Sequence, residues 1–573
     1  MRLNVTKLSH ICSITIIFLA IGIAYGHLLK GFFLQDEWWT FGDIFFTQGE
    51  GVIGYLKYNL MALGKVHAIP ISAVIPYIEY ILFGINFSYY AVVSLMIHFF
   101  SSLAVYYLSL LLIRRRFLAV LVALLFAVNG ISYPAVTWVA AINTQIVVLF
   151  SLLCLIFMFL HVKLKLEKKY LLTSLLFLLL ALFSNESAFA LFLILPVFWI
   201  ILAGKIDRKI IRKVISPLFF LGLLYLVVRI PIWILAKPIY LEHAQLLTQP
   251  NIIVFLYRLA VLSMRILSQA IISQSALLRI SEVVMRLGYP QFIAPDNAAN
   301  PYLRETIFFD LVNFSIAIAL FLLSVYIYFY LKKNKMYAEL KAFLIALCLT
   351  ILSGVMLIFI PGKAGFVALF EPKHLYLVSA GASMFFVLVI YVLALMISKK
   401  RKAVTVLMLI FFIPIFLLNA YQIRSNMKEL TKTGALRKSF LVRVREQHPD
   451  LAKKTVFYLN SNKAYYGMSV EETNLPVQIG FGRMLLVWYQ DTENFPTCFY
   501  ANNYLLELLS QDYLECDGRG FGYYREYDKL VESVEKNEIP IDNVIAYSWV
   551  DRGKRFTDIT GQIQEKLKND LKR

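Results

Sequence analysis

The sequence predicts an α-helical polytopic membrane protein with a small α/β domain at its C-terminal end. Of the 573 residues, 60% are hydrophobic and 16% charged, where a soluble chain carries about 25% charged residues. The apolar residues run in long blocks with basic clusters between them, the pattern of a multi-span protein. From about residue 421 the blocks give way to a charged, patchily hydrophobic stretch. A formal charge of +20 would suggest nucleic acid in a soluble protein. Here the cations cluster between apolar blocks, as topology signals do, and no nucleic-acid partner is expected.

Residues 1–420 read as the transmembrane domain, with about eleven spans: 11–29, 89–113, 117–133, 142–162, 170–184, 186–203, 214–236, 306–331, 340–360, 375–397 and 403–420. Several approach the ~20 residues needed to cross a bilayer, and 170–184 is the shortest. Arg2 and Lys7 precede the first span, and Arg114, Arg115 and Arg116 follow the second. Further clusters are Lys163, Lys165, Lys168 and Lys169; Lys205, Arg208, Lys209, Arg212 and Lys213; Lys332, Lys333 and Lys335; and Lys399 to Lys402. Every second connection is strongly basic and so is expected in the cytoplasm. The segments 30–88, 134–141, 184–186, 237–305, 361–374 and the tail are then expected to face outward. Residues 1–28 also have the form of a signal peptide, with Ala24 and Gly26 near its end. An uncleaved anchor is preferred, because an acidic motif follows so closely.

Within 30–88, the apolar run Val66 to Ile85 holds His67, Pro70, Pro76 and Glu79. Another span there would invert every later basic loop, so it reads as helices lying at the interface. In 250–288, Arg258, Arg265, Arg279 and Arg286 follow a heptad spacing that places them on one helical face. That pattern fits an amphipathic helix on the membrane surface, or a charge stripe touching headgroups with no further role. In the tail, 421–573, Lys454 to Asn460 and Val544 to Val550 read as strands, and Tyr504 to Leu509 and Ile563 to Leu571 as helix. The tail is long enough for an extracytoplasmic α/β domain with its own core.

Cys12, Cys154 and Cys348 lie in apolar spans and act as small hydrophobes. Cys498 and Cys516 share the tail, which the topology places in an oxidising compartment, so a disulfide between them fits. No Cys/His cluster has zinc-ligand spacing.

The candidate chemistry gathers on the outer side. Gln35-Asp36-Glu37-Trp38-Trp39 follows the first span. It is either a carboxylate pair poised over a membrane-delivered substrate or a solvated loop with aromatic interface anchors. Asn185-Glu186 sits at an outer turn, as a polar break or an accessory group. Arg229 lies inside a span, where an arginine faces a cavity or an anion or snorkels outward. Lys363, Glu371, Lys373, His374 and Tyr376 lie at the outer start of the tenth span. Carboxylates with fixed cations suit a reaction in which a hydroxyl loses a proton and a phosphate leaves.

These motifs resemble the C-type glycosyltransferase superfamily (GT-C), the polytopic enzymes that use polyprenyl-phosphate-linked sugars. The likeness is greatest to protein O-mannosyltransferase-like and tetratricopeptide-bearing transmembrane members. Asp36-Glu37 stands where that superfamily has its first-loop acidic motif. Phe126-Ala127-Val128 with Ala135-Val136-Thr137-Trp138 resembles its second-outer-loop stretch. Ser184-Asn185-Glu186-Ser187-Ala188 resembles a Lys-Glu-containing turn, and Lys373-His374-Leu375-Tyr376-Leu377-Val378-Ser379 an Arg-Tyr-Leu-Tyr-Leu-Pro-Ser segment. The resemblance covers about residues 8 to 400. Asn129-Gly130 and Pro134 replace its His-Pro and second acidic position, Lys373 replaces an Arg and contacts phosphate only as a point charge, and the tail has no tetratricopeptide repeats.

The resemblance implies transfer of a sugar, with inversion, from a polyprenyl-phosphate-linked donor to a protein, glycan or lipid acceptor at the outer face. Asp36 would be the base and Glu37 would orient it. Arg229, Lys373, His374, Tyr376, Arg258 and Arg265 would hold the donor phosphate, with Glu186 and Trp138 as accessory groups. A divalent metal is an open expectation. Alternatives from other classes are a transporter, flippase or polymerase of lipid-linked saccharides, and a non-catalytic scaffold. A transporter calls for polar groups at the bilayer midplane and paired broken helices, whereas the polar groups here gather at the outer mouth.

Overall fold

The computed structural model describes residues 2–34, 36–47, 50–61, 70–164, 167–204, 208–235, 252–288, 301–355, 372–461, 481–490, 497–499, 511–550 and 555–572. His67, Lys363, Glu371 and the helix expected at Tyr504 to Leu509 lie outside them, as do the side chains of Trp39 and Arg258. The chain forms two compact units. The first comprises Met1–Gly26, Asn59–Ile75 and Val92–Asn426. The second comprises His27–Tyr58, Pro76–Ala91 and Met427–Arg573.

The first unit is helical. Among the described residues, seven helices are long and apolar enough to cross a membrane: Ser9–Lys30, Phe87–Ile113, Val139–Lys163, Glu186–Ala203, Phe308–Lys333, Pro372–Ile397 and Arg401–Gln447. The chain is an integral membrane protein. Three of the other segments expected to span are helical but shorter in their described parts. Arg116–Ala127 has 12 residues, Lys168–Leu182 has 15 and Tyr337–Leu352 has 16. The fourth expected segment, 214–236, lies in the helix Arg208–Leu235, which has 28 residues. Eleven full-length spans are therefore not reached among the described residues. For Arg116–Ala127 the physical reason is visible just after the helix. The Asn129 side chain accepts from the N–H groups of Ile131 and Ser132 at 3.0 and 2.9 Å, forming an Asx turn that competes with helix. Twelve residues rise only ~18 Å.

Close helix approach organises the centre of this unit. A methyl at Gly381 would lie 2.6 Å from the backbone nitrogen of Thr350 and 2.8 Å from the carbonyl oxygen of Ala346. The helices Tyr337–Leu352 and Tyr376–Ile397 therefore meet backbone to backbone, the packing that small residues allow in membranes.

The single amphipathic helix expected in 250–288 is two helices, Ile252–Gln269 and Gln274–Gly288. The break separates Arg258 and Arg265 from Arg279 and Arg286. Arg279 and Arg286 are exposed, whereas Arg265 is 2% exposed. Its Nε donates to Asp310 at 2.6 Å. One continuous arginine face does not form, because Leu262, Ile266 and Ala270 turn the first helix into a core and carry Arg265 inward with them.

In the second unit, three stretches of the chain come together. The segment 30–88, expected to hold interfacial helices, contains the helices Asp36–Phe46, Gly51–Met61 and Pro70–Phe83, of which the first and most of the second and third belong here. The tail carries a sheet of β1 (Lys454–Ser461), β2 (Asp512–Cys516), β3 (Arg519–Tyr524), β4 (Val544–Val550) and β5 (Arg555–Asp558) in the order β2-β3-β1-β4-β5. β1 is parallel to β3 and β4, and both edge pairs are antiparallel. Alternation along β1 gives the sheet two apolar faces. Val456 and Tyr458 pack with Leu530, Val534 and Leu567 of the helices Tyr527–Lys536 and Thr560–Asp570. On the other face, Phe457 lies against Phe521, while Phe440, from the end of the helix Arg401–Gln447, stacks on Phe556 at 3.9 Å. Cys498 and Cys516 are joined as a disulfide.

Candidate functional site

The site residues read from sequence fall into both units, and each group is built by its own elements. In the second unit, Asp36 opens the helix Asp36–Phe46 with Glu37 beside it. Two carboxylates in a first turn complement the positive end of the helix dipole. The two differ in surroundings. Glu37 is 4% exposed, and its Oε2 accepts from the Leu34 N–H at 3.2 Å. Asp36 is only partly buried, and its carbonyl accepts from the Thr40 hydroxyl at 3.2 Å. Adjacent helix positions point about 100° apart, so the two carboxylates leave the helix in different directions.

Trp38 anchors the motif. It is 1% exposed and meets Phe33, Phe32, Phe41 and Trp488 with ring centroids 5.6 to 6.5 Å apart, mostly edge to face as aromatic quadrupoles prefer. Trp488 ends the tail helix Phe481–Trp488. The expected pair of aromatic interface anchors is thus, at Trp38, a core residue.

A carboxyl that the sequence reading noted but gave no role in the site lies in this unit. Glu79 is 4% exposed, and its Oε1 has no hydrogen-bond partner among the described residues. Burial pushes this carboxyl from its usual 4.5 up to about 8. Its charge bears on Tyr90, whose ring meets Phe41 at 5.8 Å. The available signal was a lone acidic residue in an otherwise apolar helix, Pro70–Phe83.

In the first unit, Glu186 and Arg229 come together. Arg229 is 2% exposed, and one terminal guanidinium nitrogen donates to Glu186 Oε1 at 2.7 Å. The arginine inside the apolar segment thus faces an anion supplied by the chain itself, as the depth argument requires. Lys373 and Trp138 also come together, the ammonium 3.8 Å from the ring centroid, within cation–π range. Both stand on fixed supports. Trp138 follows the short helix Pro134–Thr137, where the Val136 and Ala135 carbonyls accept from Ser94 at 2.6 Å and Gln145 at 2.8 Å. Lys373 and His374 lie in the 3₁₀ turn Pro372–Leu375 that leads into the helix Tyr376–Ile397.

Tyr376 is fully enclosed, at 1% exposed, and its hydroxyl lies 2.6 Å from His98 Nδ1. His98 Nε2 lies 2.9 Å from the Ala127 carbonyl. A carbonyl only accepts, so Nε2 carries the proton and Nδ1 accepts from Tyr376. The His98 ring thus ties the helices Phe87–Ile113, Arg116–Ala127 and Tyr376–Ile397 together. Arg265 is committed to Asp310, and the side chain of Arg258 is outside the described residues. Among the described residues, no group of three or more His, Cys, Asp or Glu could hold a metal ion.

The chain matches no protein-family model and no curated protein. Among solved structures it is similar to ArnT from Cupriavidus metallidurans bound to undecaprenyl phosphate, at TM-score 0.43 and 12% identity over 94% of this chain and 93% of that one. It is also similar to the same protein in the apo state, at TM-score 0.37 and 14% identity over 94% and 93%. At such identities neither likeness assigns a role to any residue of this chain.

Proposed function

We propose that this protein is a membrane glycosyltransferase of the C type that takes its sugar from a polyprenyl-phosphate-linked donor at the outer face. The acceptor hydroxyl loses its proton to the Asp36 carboxylate. The resulting oxygen nucleophile bonds to the anomeric carbon as the bond to the phosphate oxygen breaks, with inversion, and the polyprenyl phosphate departs with the electron pair. Lys373 is the cation offered to that phosphate, a point charge held against the Trp138 ring. The single observation that carries the reading is the asymmetry of the acidic pair. Glu37 is buried and tied to the Leu34 N–H, while Asp36, one residue away, is only partly buried. A buried, backbone-tied carboxylate orients; a more open neighbour can reach a substrate. Asp36-Glu37, Ala135-Val136-Thr137-Trp138 and the stretch Lys373 to Ser379 resemble the family's motifs.

The test is sugar transfer from a polyprenyl-phosphate donor by the purified full-length protein and by Asp36→Asn. The amide keeps the shape of the carboxylate but takes no proton. A positioned base is worth roughly 10²–10⁴ in rate, so the variant should lose at least two orders of magnitude in kcat at normal protein level. Near-normal transfer by Asp36→Asn removes the residue from the chemistry. Movement of intact lipid-linked saccharide without transfer would instead identify a transporter.

A further inference from the structure

We infer that Arg437 is the positioning residue of the acidic pair, and that the tail builds the proposed active site rather than only binding acceptor beside it, which rests on the reading of Asp36 as base. The second unit contains both the segment 27–58 and the chain from Met427 onward. One face of the helix Arg401–Gln447 meets the acidic segment at successive points. Thr431 Oγ1 donates to the His27 carbonyl at 3.1 Å. Gly434 follows, where an added methyl would lie 2.9 Å from the Phe32 nitrogen. Arg437 then donates through a terminal nitrogen to the Phe33 carbonyl at 3.5 Å, and the Glu37 carboxylate is the charge that acts on its guanidinium. Spacings of three residues put these side chains on one face. Within about two helical turns, three residues thus meet three points of the chain leading into Asp36.

Arg437 suits this task because it engages two different groups. It reaches a backbone carbonyl and it compensates a buried carboxylate. Glu37 in turn holds the Leu34 N–H. The path therefore runs from Arg437 through Glu37 and the backbone of 33–34 to the first residue of the helix, which is Asp36. A carboxylate buried as deeply as Glu37 is costly without a cation. Removing the guanidinium drives Glu37 to take up a proton, which weakens its grip on Leu34 and loosens the helix start.

Other charges stand on the elements around this pair. Asp43 lies on the same helix, His27 and Lys30 lie in the preceding turn Gly26–Lys30, and Lys438 follows Arg437. Glu79, Tyr80 and Tyr90 come from helices that pack on Phe41 and Phe45. Arg437 is singled out because it reaches the Phe33 carbonyl and because the Glu37 charge acts on its guanidinium.

The experiment compares wild type, Arg437→Gln and Arg437→Lys as full-length protein, with two independent readouts. The first is transfer from a polyprenyl-phosphate sugar as a function of pH. A nearby cation lowers a carboxyl by about 1–3 pH units, so Arg437→Gln should move the acidic limb of kcat upward by about one unit. Its kcat should fall about 10²-fold, the cost of a small misplacement, with the donor KM within about twofold of wild type. Arg437→Lys should restore the limb and part of kcat. The second readout is a thermal-stability cycle of Arg437→Gln, Glu37→Gln and the double variant, which needs no transfer; contact predicts non-additivity. An unmoved acidic limb in Arg437→Gln, a Lys variant that behaves like the Gln variant, or additive stabilities would each overturn the inference. Coupled stabilities in a wild type that transfers no sugar would leave the contact standing and sink the glycosyltransferase reading.

Discussion

Burial alone moves the Glu79 carboxyl, and the direction has a consequence for stability. Its folded value, about 8, lies above its usual 4.5, so the folded state holds the proton more tightly than the unfolded chain. The stability that goes with the protonated form is fully present below about 4.5. It is lost as pH rises toward about 8, at up to ~1.4 kcal/mol per pH unit. Glu79→Gln fixes the uncharged form. Tm of wild type and variant in detergent should coincide near pH 5, and the variant should be the more stable near pH 8. Equal Tm values at both pH values would show that the carboxyl is hydrated or paired. The Glu186–Arg229 pair makes the opposite prediction, because here the charges support each other at 2.7 Å with the arginine buried. Glu186→Gln leaves a buried guanidinium short of its anion, which costs roughly 3–5 kcal/mol for a buried pair. Arg229→Gln should cost no less, and the double variant should be milder than the sum of the two. Additive losses in a thermal-unfolding cycle would mean that the pair does not hold in solution.

At the scale of elements, close approach decides more than hydropathy does. The helices Tyr337–Leu352 and Tyr376–Ile397 touch where Gly381 has no side chain, and an alanine methyl there would lie 2.6 Å from a backbone nitrogen. Backbone cannot yield as the end of a flexible side chain can, so Gly381→Ala should lower Tm by several degrees and Gly381→Leu should prevent stable folding. The helix begins just after Lys373, so donor affinity should fall with it. Unchanged Tm and donor KM in Gly381→Ala would refute the contact. Hydropathy made the existence of such helices legible, because runs such as 375–397 and 142–162 are long and nearly uncharged. It could not show where they end. The Asx turn at Asn129 stops Arg116–Ala127 short, through a side-chain hydrogen bond that an apolar count does not see. The heptad arginines of 258–286 misled for a related reason. Spacing gives a common face only while one helix continues, and this one breaks after Gln269.

The whole molecule joins residues that the sequence keeps far apart, which limited how much of the site could be read in advance. Asp36 and Glu37 were visible as an acidic pair beside aromatic residues. The strands at Lys454 and Val544 were visible from β-branched and aromatic runs. That Thr431, Gly434 and Arg437 would meet residues 27 to 37 was not visible, because a contact spanning about 400 positions leaves no local pattern. The sidedness of the molecule is the property that rests most heavily on sequence, since it follows from the charge of the loops. It can be checked directly in cells. In a variant lacking Cys12, Cys154 and Cys348, a membrane-impermeant maleimide added from outside should modify a cysteine at Asn460, an exposed position on β1. It should spare one at Lys400, in the basic cluster between two spanning helices. After permeabilisation both should react. The Cys498–Cys516 disulfide can stay in place, because it presents no thiol. The reverse pattern would place the tail in the cytoplasm and put the acidic segment, which shares a compact unit with the tail, on the side away from an outward-facing lipid-linked sugar.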